Sequence, residues 1–540
     1  MRWLLTGLAA FALMAPSLRA ADNDPTVYFR LASIDNILSK AKYIGGLVAQ
    51  GDTVEQLLGI VEAMNDPKNG LEGIDTSRPF GFTASLENLS PDNPTLIMIP
   101  IKNEKSFIGL LDRFGVSVGP KPDKDGIYTI TGANVPLPLK MLMTQKYAML
   151  STQGDVLDVK KLPNVEKLLA DKDESLLTFT IRFDRIPAEI RDVAISQIEN
   201  RLADEKEAPY EGESPAVKKM RLQYFDYTAR TIKSMMNEGR ELKMGLIIDE
   251  KADDLGFSFS MSAMPKTALA QSIANMGKSE SMVLSGVEGK QLLGRFGLNI
   301  ALPEELKKLL GPIVDETIQK AVDDVPDAAA APFVERLLAP LKPTLKAGLL
   351  DMGIGVHGPS ADGKYTVMLG LKVQDGETIA KALKEVVGDI PDNNVQEAFA
   401  FDVEKVSGLT LHEVKVGSHV QPEQAAIFGQ SSLWLGTSKD RVFAAFGPDA
   451  KDLLQTAAKS KKSAQPTMIS EVSMGKILPL FTPEKAEESK QAIKKVFGGS
   501  PSGKDTISLK LEGGERASLQ FRVKGALLRY SAAMAMPMDE

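Results

Sequence analysis

The sequence contains no cysteine among its 540 residues. It therefore has no disulfide, no thiol nucleophile, no thiolate metal site and no acylated cysteine that could hold it to a membrane. Histidine is almost as scarce, with His357, His412 and His419 as its three positions. The last two do not form the zinc motif H-E-x-x-H, and their odd spacing places them on opposite faces of a strand. We expect solvated or edge-strand histidines and no metal site.

Positive charge is also in deficit, since 64 Lys and Arg stand against 71 Asp and Glu and the net charge is -7. A nucleic-acid-binding surface is strongly basic, so this balance argues against a nucleic-acid partner. Beyond the N-terminus the sequence has no run of 18 uncharged apolar residues. We therefore expect a chain that does not span a membrane once its leader is removed.

Residues 1–20 have the build of a secretory signal peptide. A cationic start precedes the apolar run from Leu4 to Met14, and small residues follow near Ala20. The run is too short to span a bilayer stably. An uncleaved N-terminal anchor is the alternative, and cleavage after Ala20 would place Leu18 where a small residue is preferred. We expect export to the periplasm or to the extracellular medium.

Two glycine-rich stretches imitate nucleotide-binding motifs. Residues 498–505 fit G-x-x-x-x-G-K, but Asp505 stands where a phosphate loop has Ser or Thr. The stretch also follows a helix and precedes a strand, which is the reverse of the order that a phosphate loop needs. Residues 353–358 match G-x-G-x-x-G but lead into a turn and a strand, so they predict a hairpin arm. We expect no nucleotide and no cofactor.

Motifs for catalysis are missing as well. No serine lies in a G-x-S-x-G elbow. Acidic pairs such as Asp253-Asp254 fall in expected turns, where carboxylates favour turn formation and solubility. The sequence therefore assigns no residue a catalytic, cofactor-binding or metal-ligating role.

The order of predicted elements repeats along the chain. The segment PTLIMIPIKNEKSFIGLLDRFG, from Pro94, and the segment KYTVMLGLKVQDGETIAKALKEVVG, from Lys364, both predict a strand followed by a helix. The opening of the second series, SMVLSGVEGKQLLGRFG, is also interpreted as strand then helix. These echoes favour a duplication with halves at 22–280 and 281–540, with convergent patterning as the alternative.

Short alternating strands in hairpins, with amphipathic helices between them, predict an α+β fold. We expect two tandem, duplicated lobes of antiparallel sheet with amphipathic helices packed on one face. The stretch FSFSMS, Phe257 to Ser262, would put apolar side chains on one sheet face and serines on the other, leaving the serine face open to water or to a partner.

Two further features have a structural and a functional interpretation. Residues 214–239 predict a helix capped by Ser214, with Pro215 in its first turn and Gly239 at its end. Its aromatic side is expected in the core, although its basic residues could contact an anionic surface. The 22 methionines include clusters such as Met141-Met143, Met235-Met236, Met261-Met264 and Met534-Met536-Met538, which fill core gaps or line a cavity for a hydrophobic molecule.

The chain also resembles large uncharacterised exported bacterial proteins that carry a domain of unknown function. The resemblance rests on the signal peptide, GIDTSRPFGF, IPIKNEKSFIGLLDRFG, DGIYTITG and KYAMLST, and it covers mainly residues 26–170. It implies export and a non-enzymatic role, and it supplies no site residues.

Three functions are consistent with these observations. The first is an exported non-enzymatic binding or scaffold protein whose partner is another protein or the cell envelope. The second is a carrier or sensor of lipid or other hydrophobic molecules, and the third is a hydrolase with an unrecognised site. Because no catalytic residue can be recognised in the sequence, a non-enzymatic role is favoured over an enzymatic one. An apolar cavity would favour the carrier, whereas a cleft of acids with raised pKa values would favour the enzyme.

Overall fold

The structure is a computed structural model. It describes residues 25–48, 56, 59, 71–86, 93–132, 138–160, 162–171, 175–208, 210, 212–326, 330–416, 420–475, 477, 486–498 and 503–535. The expected signal peptide, His419, Met536 and Met538 lie outside these residues.

Strands and helices mix along the whole described chain, so the fold is α+β as expected. The strands are β1 Val27–Leu31, β2 Phe80–Ala84, β3 Thr95–Pro100, β4 Val116–Val118, β5 Ile127–Gly132, β6 Leu139–Met143, β7 Tyr147–Ser151, β8 Leu177–Arg182, β9 Gly239–Asp249, β10 Asp254–Ala263, β11 Glu280–Ser281, β12 Leu292–Ala301, β13 Leu349–His357, β14 Thr366–Lys372, β15 Phe399–Val406, β16 Leu409–Val414, β17 Leu433–Thr437, β18 Arg441–Phe446, β19 Ser463–Ala464, β20 Met468–Ser473, β21 Thr506–Glu512 and β22 Ala517–Lys524.

The helices differ widely in length and, apart from the last one, lie between the strands in sequence. They are α1 Ile34–Val48, α2 Glu104–Arg113, α3 Val165–Leu168, α4 Ala188–Glu207, α5 Pro215–Glu238, α6 Ala268–Met276, α7 Val283–Val287, α8 Glu304–Asp323, α9 Ala331–Leu338, α10 Lys342–Lys346, α11 Gly376–Gly388, α12 Asn393–Ala398, α13 Pro422–Phe428, α14 Ala450–Ala458, α15 Ala486–Phe497 and α16 Gly525–Ala535.

Twenty of the strands form one continuous antiparallel sheet, and β11 pairs with β19 in a separate ribbon. From one edge the pairing order is β4, β5, β6, β7, β3, β2, β1, β8, β9, β10. From the other edge it is β15, β16, β17, β18, β14, β13, β12, β20, β21, β22. The two series meet where β10 pairs with β22.

The two series follow the same path. We number the ten strands of each series in chain order. From the outer edge to the centre, both series then have the order 4, 5, 6, 7, 3, 2, 1, 8, 9, 10. Strands β1, β8 and β9 therefore occupy the same places in their series as β12, β20 and β21 do in theirs. The contact between β10 and β22 makes one sheet of the two series.

The opening of the second series differs from the sequence-based prediction. Residues 281–297 were expected to run from strand to helix, but the order is reversed, because α7 comes first and β12 begins at Leu292. Glycine explains the difference. A Cβ on Gly297 would lie 2.5 Å from Cδ2 of Leu284, so the bare backbone lets α7 approach the strand closely.

This close approach decides which sheet face is covered. On β13 the buried side is the small and polar one, with Asp351, Gly353, Gly355 and His357, because α7 packs on it. The larger apolar residues of β13 point to the other side and are only partly buried. On the neighbouring β12, Gly297 and Asn299 are likewise buried while Phe296 and Leu298 point to the other side, so this other sheet face is not fully covered.

Candidate functional site

One face of the central sheet carries two adjacent rows of apolar side chains, which we call the apolar strip. Each row crosses ten strands in the order β1, β8, β9, β10, β22, β21, β20, β12, β13, β14. The first row is Phe29, Phe179, Met244, Phe259, Leu519, Leu511, Met468, Leu298, Met352 and Leu371, and the second is Leu31, Leu177, Leu246, Phe257, Phe521, Leu509, Ser470, Phe296, Ile354 and Leu369.

Ser470 is the one polar residue of the strip. None of the twenty side chains is fully buried. Six are more than a third exposed: Met244, Phe257, Phe259, Phe296, Leu369 and Phe521. At about 4.8 Å between strands, nine strand spacings make the strip roughly 43 Å long. A row of partly exposed apolar side chains of this length is uncommon on protein surfaces, and it makes the strip a candidate binding surface.

Helix clusters border the strip on both long sides. Beside the first row, Ile181, Leu242 and Met261 pack against residues of α4 and α5. Beside the second row, Ile507 and Val523 pack against α15 and α16. These clusters lie beside β8 to β10 on one side and beside β21 and β22 on the other, and within the described residues neither cluster includes a side chain of the strip, so the strip is the floor of a trough between them.

The opposite face of the same strands is polar and contains a cavity of about 580 Å³, which we call the basic groove. It is lined by Pro25, Tyr28, Arg30, Pro163, Asn164, Lys167, Leu168, Ala170, Asp171, Thr178, Thr180, Arg182, Arg240, Glu241, Lys243 and Arg516. This lining has six cationic side chains and two carboxylates. The net charge of this lining is therefore positive, whereas the net charge of the whole chain is negative.

Asp171 fixes the floor of the basic groove. Its side chain is 1% exposed, accepts a 2.9 Å hydrogen bond from Nζ of Lys243, and lies 3.7 Å from Nη1 of Arg30. The backbone N–H of Ser175 donates to it at 2.8 Å. Burial alone would raise the pKa of Asp171, but these hydrogen bonds and the charge of Lys243 outweigh it and lower the pKa to about 2.

A second cavity, of about 280 Å³, lies at β12, β20 and β21 and is here called the paired cavity. It holds Arg295 and Lys510 together with Glu288 and Glu512. Arg295 pairs with Glu288 and, at 3.1 Å, with Glu471, and Lys510 pairs with Glu512 at 2.6 Å. Both cations are thus neutralised by neighbouring carboxylates.

The histidine prediction was wrong for the two histidines that the structure describes. His357 and His412 are each 1% exposed rather than solvated. His357 contacts the carbonyl oxygens of Val287 and Lys290 at 3.1 and 3.2 Å, and burial lowers its pKa. His412 accepts from the backbone N–H of Asp402 and contacts Oγ1 of Thr437 at 2.9 Å. His357 is therefore held by α7 and the loop after it, and His412 by the neighbouring strands β15 and β17. Within the described chain no acidic or histidine cluster could hold a metal ion.

The two nucleotide-like stretches have structural roles. Gly498, at φ +66°, follows α15, and a turn at 503–504 precedes Asp505 and β21, so the described part has the expected order of helix, turn and strand, while residues 499–502 lie outside the described residues. Asp505 is buried and accepts from Oγ of Ser473 at 2.6 Å and from the backbone N–H of Gly475 at 2.8 Å. Residues 353–357 lie in β13, which forms an antiparallel pair with β14, as the hairpin prediction required.

The helix at 214–239 is confirmed, with Ser214 accepting from the N–H of Val217 and Gly239 at the C-terminal end. Its expected burial is not. No residue of α5 is fully buried, and Tyr224 is 55% exposed. The reason is that α5 packs mainly along α4 and α8, and it reaches the sheet through Met235 and Met236 near its C-terminal end, which join the cluster around Met261.

Sequence reasoning missed most of the site. Of the methionine clusters, Met141 and Met261 are buried in cores, whereas Met244, Met352 and Met468 of the strip had not been singled out. The available signal was apolar residues on one face of several consecutive strands. The stretch FSFSMS showed this pattern. The serine face was expected to be the open one, but at Phe257, which is 62% exposed, the apolar face is the more open.

Comparisons with known proteins add little. No family model matches the chain. No curated protein matches it either. Among solved structures, crystal form IV of TP0453 is similar at 8% sequence identity and a TM-score of 0.21, over 47% of this chain and 82% of that chain. A likeness at this level carries no argument about fold or function, and the resemblance to exported proteins of unknown function stays a prediction.

Each of the described helices is either too short or too polar to cross a membrane.

Proposed function

We propose that this protein is an exported, non-enzymatic carrier that binds the hydrocarbon part of a lipid on the apolar strip. The observation that carries the proposal is the strip itself, in which nineteen of twenty positions across ten strands are apolar and none is fully buried. Leaving such a surface in water costs free energy, and hydrocarbon would cover it.

The chemistry of the strip favours hydrocarbon over a protein partner. Protein interfaces make about one hydrogen bond per 100–200 Å², and their rims are polar. The strip offers the hydroxyl of Ser470 and no charged side chain, and its backbone groups are already paired between strands. A ligand that needs no hydrogen bonds matches this surface.

The free energy available is adequate for a carrier. Each methylene removed from water contributes about 0.8 kcal/mol. A chain of about sixteen carbons covered on one side would gain roughly 6 kcal/mol before the cost of immobilising it. The aromatic residues Phe257, Phe259 and Phe521 form the exposed middle of the floor, where a chain would lie.

The test is native mass spectrometry of the chain purified from an exporting host, with organic extraction, followed by titration with Nile red. This neutral dye is chosen because the basic groove has no charge reason to bind it. We expect an extractable apolar mass and saturable dye binding, weakened about tenfold in Phe257→Ser/Phe521→Ser. The control is Tyr224→Ser, which removes an exposed aromatic side chain outside the strip.

Two results would contradict the proposal. One is a chain free of extractable mass that also fails to bind the dye. The other is a stable dimer that dissociates in Phe257→Ser/Phe521→Ser, because the strip would then be covered by a second copy of the chain.

We also propose that residues 22–280 and 281–540 are tandem copies of one lobe. The shared pairing path supports this, since β1 to β10 and the ten strands from β12 to β22, leaving out β19, have the same order. An experimental structure in which the halves superpose strand for strand is expected. A different path in either half would contradict it. Export is tested by N-terminal sequencing of the chain from an exporting host, which should begin near residue 21.

A further inference from the structure

The basic groove has more cationic side chains than are paired with carboxylates of the described chain. Three of its six cations are tied down: Arg30 and Lys243 to Asp171, and Arg182 to Asp184 at 2.9 Å. The other three are Lys167, Arg240 and Arg516. They are exposed, and none forms an ion pair with a carboxylate in the part of the chain that the structure describes.

The unpaired cations come from separate elements. Lys167 belongs to α3, Arg240 to the start of β9, and Arg516 to the turn before β22. All three line the same 580 Å³ cavity. Like charges gathered at one cavity repel one another, so an anion that bridges them would be stabilised there.

The paired cavity provides a comparison within the same molecule. It lies at β12, β20 and β21, which hold the same places in their series as β1, β8 and β9 do. There Arg295 and Lys510 are both neutralised by glutamates. The fold therefore forms a cavity at this place without excess positive charge, and the excess in the basic groove is a feature of that groove alone.

We propose that the basic groove binds a compact anion with several phosphate or carboxylate oxygens, held by Lys167, Arg240 and Arg516 over the floor fixed by Asp171. Guanidinium groups bind such oxygens in bidentate geometry, and lysine adds a point charge. A cavity of this size suits a small molecule or a headgroup. The site is independent of the apolar strip, because it lies on the opposite face of the sheet.

The test is calorimetric titration of the full chain with inorganic pyrophosphate at about 0.15 M salt. We expect one saturable site that weakens with salt. The variant Lys167→Gln/Arg240→Gln/Arg516→Gln should bind about tenfold more weakly or worse. The control, Lys102→Gln/Lys121→Gln/Lys461→Gln, removes the same charge from exposed positions outside the groove and should stay within about twofold of the wild type.

Vesicles identify the source of the anion. If phosphatidylglycerol vesicles bind the chain, lose binding in the groove variant and are displaced by pyrophosphate, the anion is a lipid headgroup. If pyrophosphate binds and vesicles do not, the anion is a free solute. Absence of saturable pyrophosphate binding, or an equal loss in both triple variants, would overturn the proposal.

Discussion

The hydroxyl of Tyr43 donates a 2.5 Å hydrogen bond to Oδ1 of Asp253, 210 residues further along the chain. Asp253 lies in the turn between β9 and β10, and its other oxygen accepts from the backbone N–H of Ala526 at 2.8 Å and from Arg529 at 3.1 Å. A carboxylate at this position caps the N-terminus of α16. A Cβ on Gly525 would lie 2.3 Å from the Tyr43 hydroxyl, so glycine is needed where the helix meets the turn.

This contact predicts that Asp253 helps to hold α16 against the turn between β9 and β10. Asp253→Asn keeps a residue that tolerates the observed φ of 54° but removes the charge, and we expect it to lower the free energy of unfolding by about 1–2 kcal/mol. Tyr43→Phe should cost about 1 kcal/mol. Asp254→Asn, which breaks a partly exposed pair with Lys524, is the control and should cost less than about 1 kcal/mol. Urea unfolding measures all three, and an unchanged midpoint for Asp253→Asn would contradict the capping role.

The low pKa of Asp171 predicts an acid-sensitive contribution to stability. Its pKa of about 2 in the folded chain lies below the ordinary value of 3.8. The stabilisation is therefore fully present above about pH 4 and is lost as the pH falls through 2. We expect Asp171→Asn to cost up to about 2 kcal/mol at pH 7, because Lys243 loses its buried partner.

Urea unfolding at several pH values tests this. The difference between wild type and Asp171→Asn should shrink steadily below pH 4. The exposed Asp155→Asn serves as control and should show no such trend. A difference that stays constant down to pH 2 would mean that the charge of Asp171 contributes nothing to folding.

The seam between β10 and β22 predicts a strong glycine effect. A Cβ on Gly256 would lie 1.9 Å from the backbone oxygen of Phe521, which cannot move without breaking strand pairing. We expect Gly256→Ala to cost 2 kcal/mol or more, on the order of other steric insertions in packed sites. Gly109→Ala is the control, because Gly109 lies in α2 with open space around it and alanine should stabilise the helix by roughly 0.5–1 kcal/mol. Thermal unfolding of both variants tests this prediction. Equal melting temperatures for Gly256→Ala and Gly109→Ala would contradict the predicted clash.

The sequence predicted the α+β class, the hairpin of β13 and β14, and the capped helix α5, because each depends on residues close together in the chain. It could not predict the basic groove, since Lys167, Arg240 and Arg516 meet through strand pairing between distant segments. The strip was hidden for another reason. Phe257 and Met261 lie on the same face of β10. Phe257 is 62% exposed, whereas Met261 is 3% exposed, because α5 covers one end of that face. Alternation identifies a face, and the packing of a distant helix decides which part of it stays open.

The same pair of residues provides the sharpest test of what the strip is for. If Phe257 is kept for a ligand, Phe257→Ala should change the free energy of unfolding of the ligand-free chain by less than about 0.5 kcal/mol. Met261→Ala, four residues along the same strand, should cost roughly 2–5 kcal/mol because it leaves a cavity beside Phe183. Urea unfolding of the extracted chain measures both. A large loss for Phe257→Ala would show that the strip is covered in solution by the chain itself, and the carrier proposal would lose its open surface.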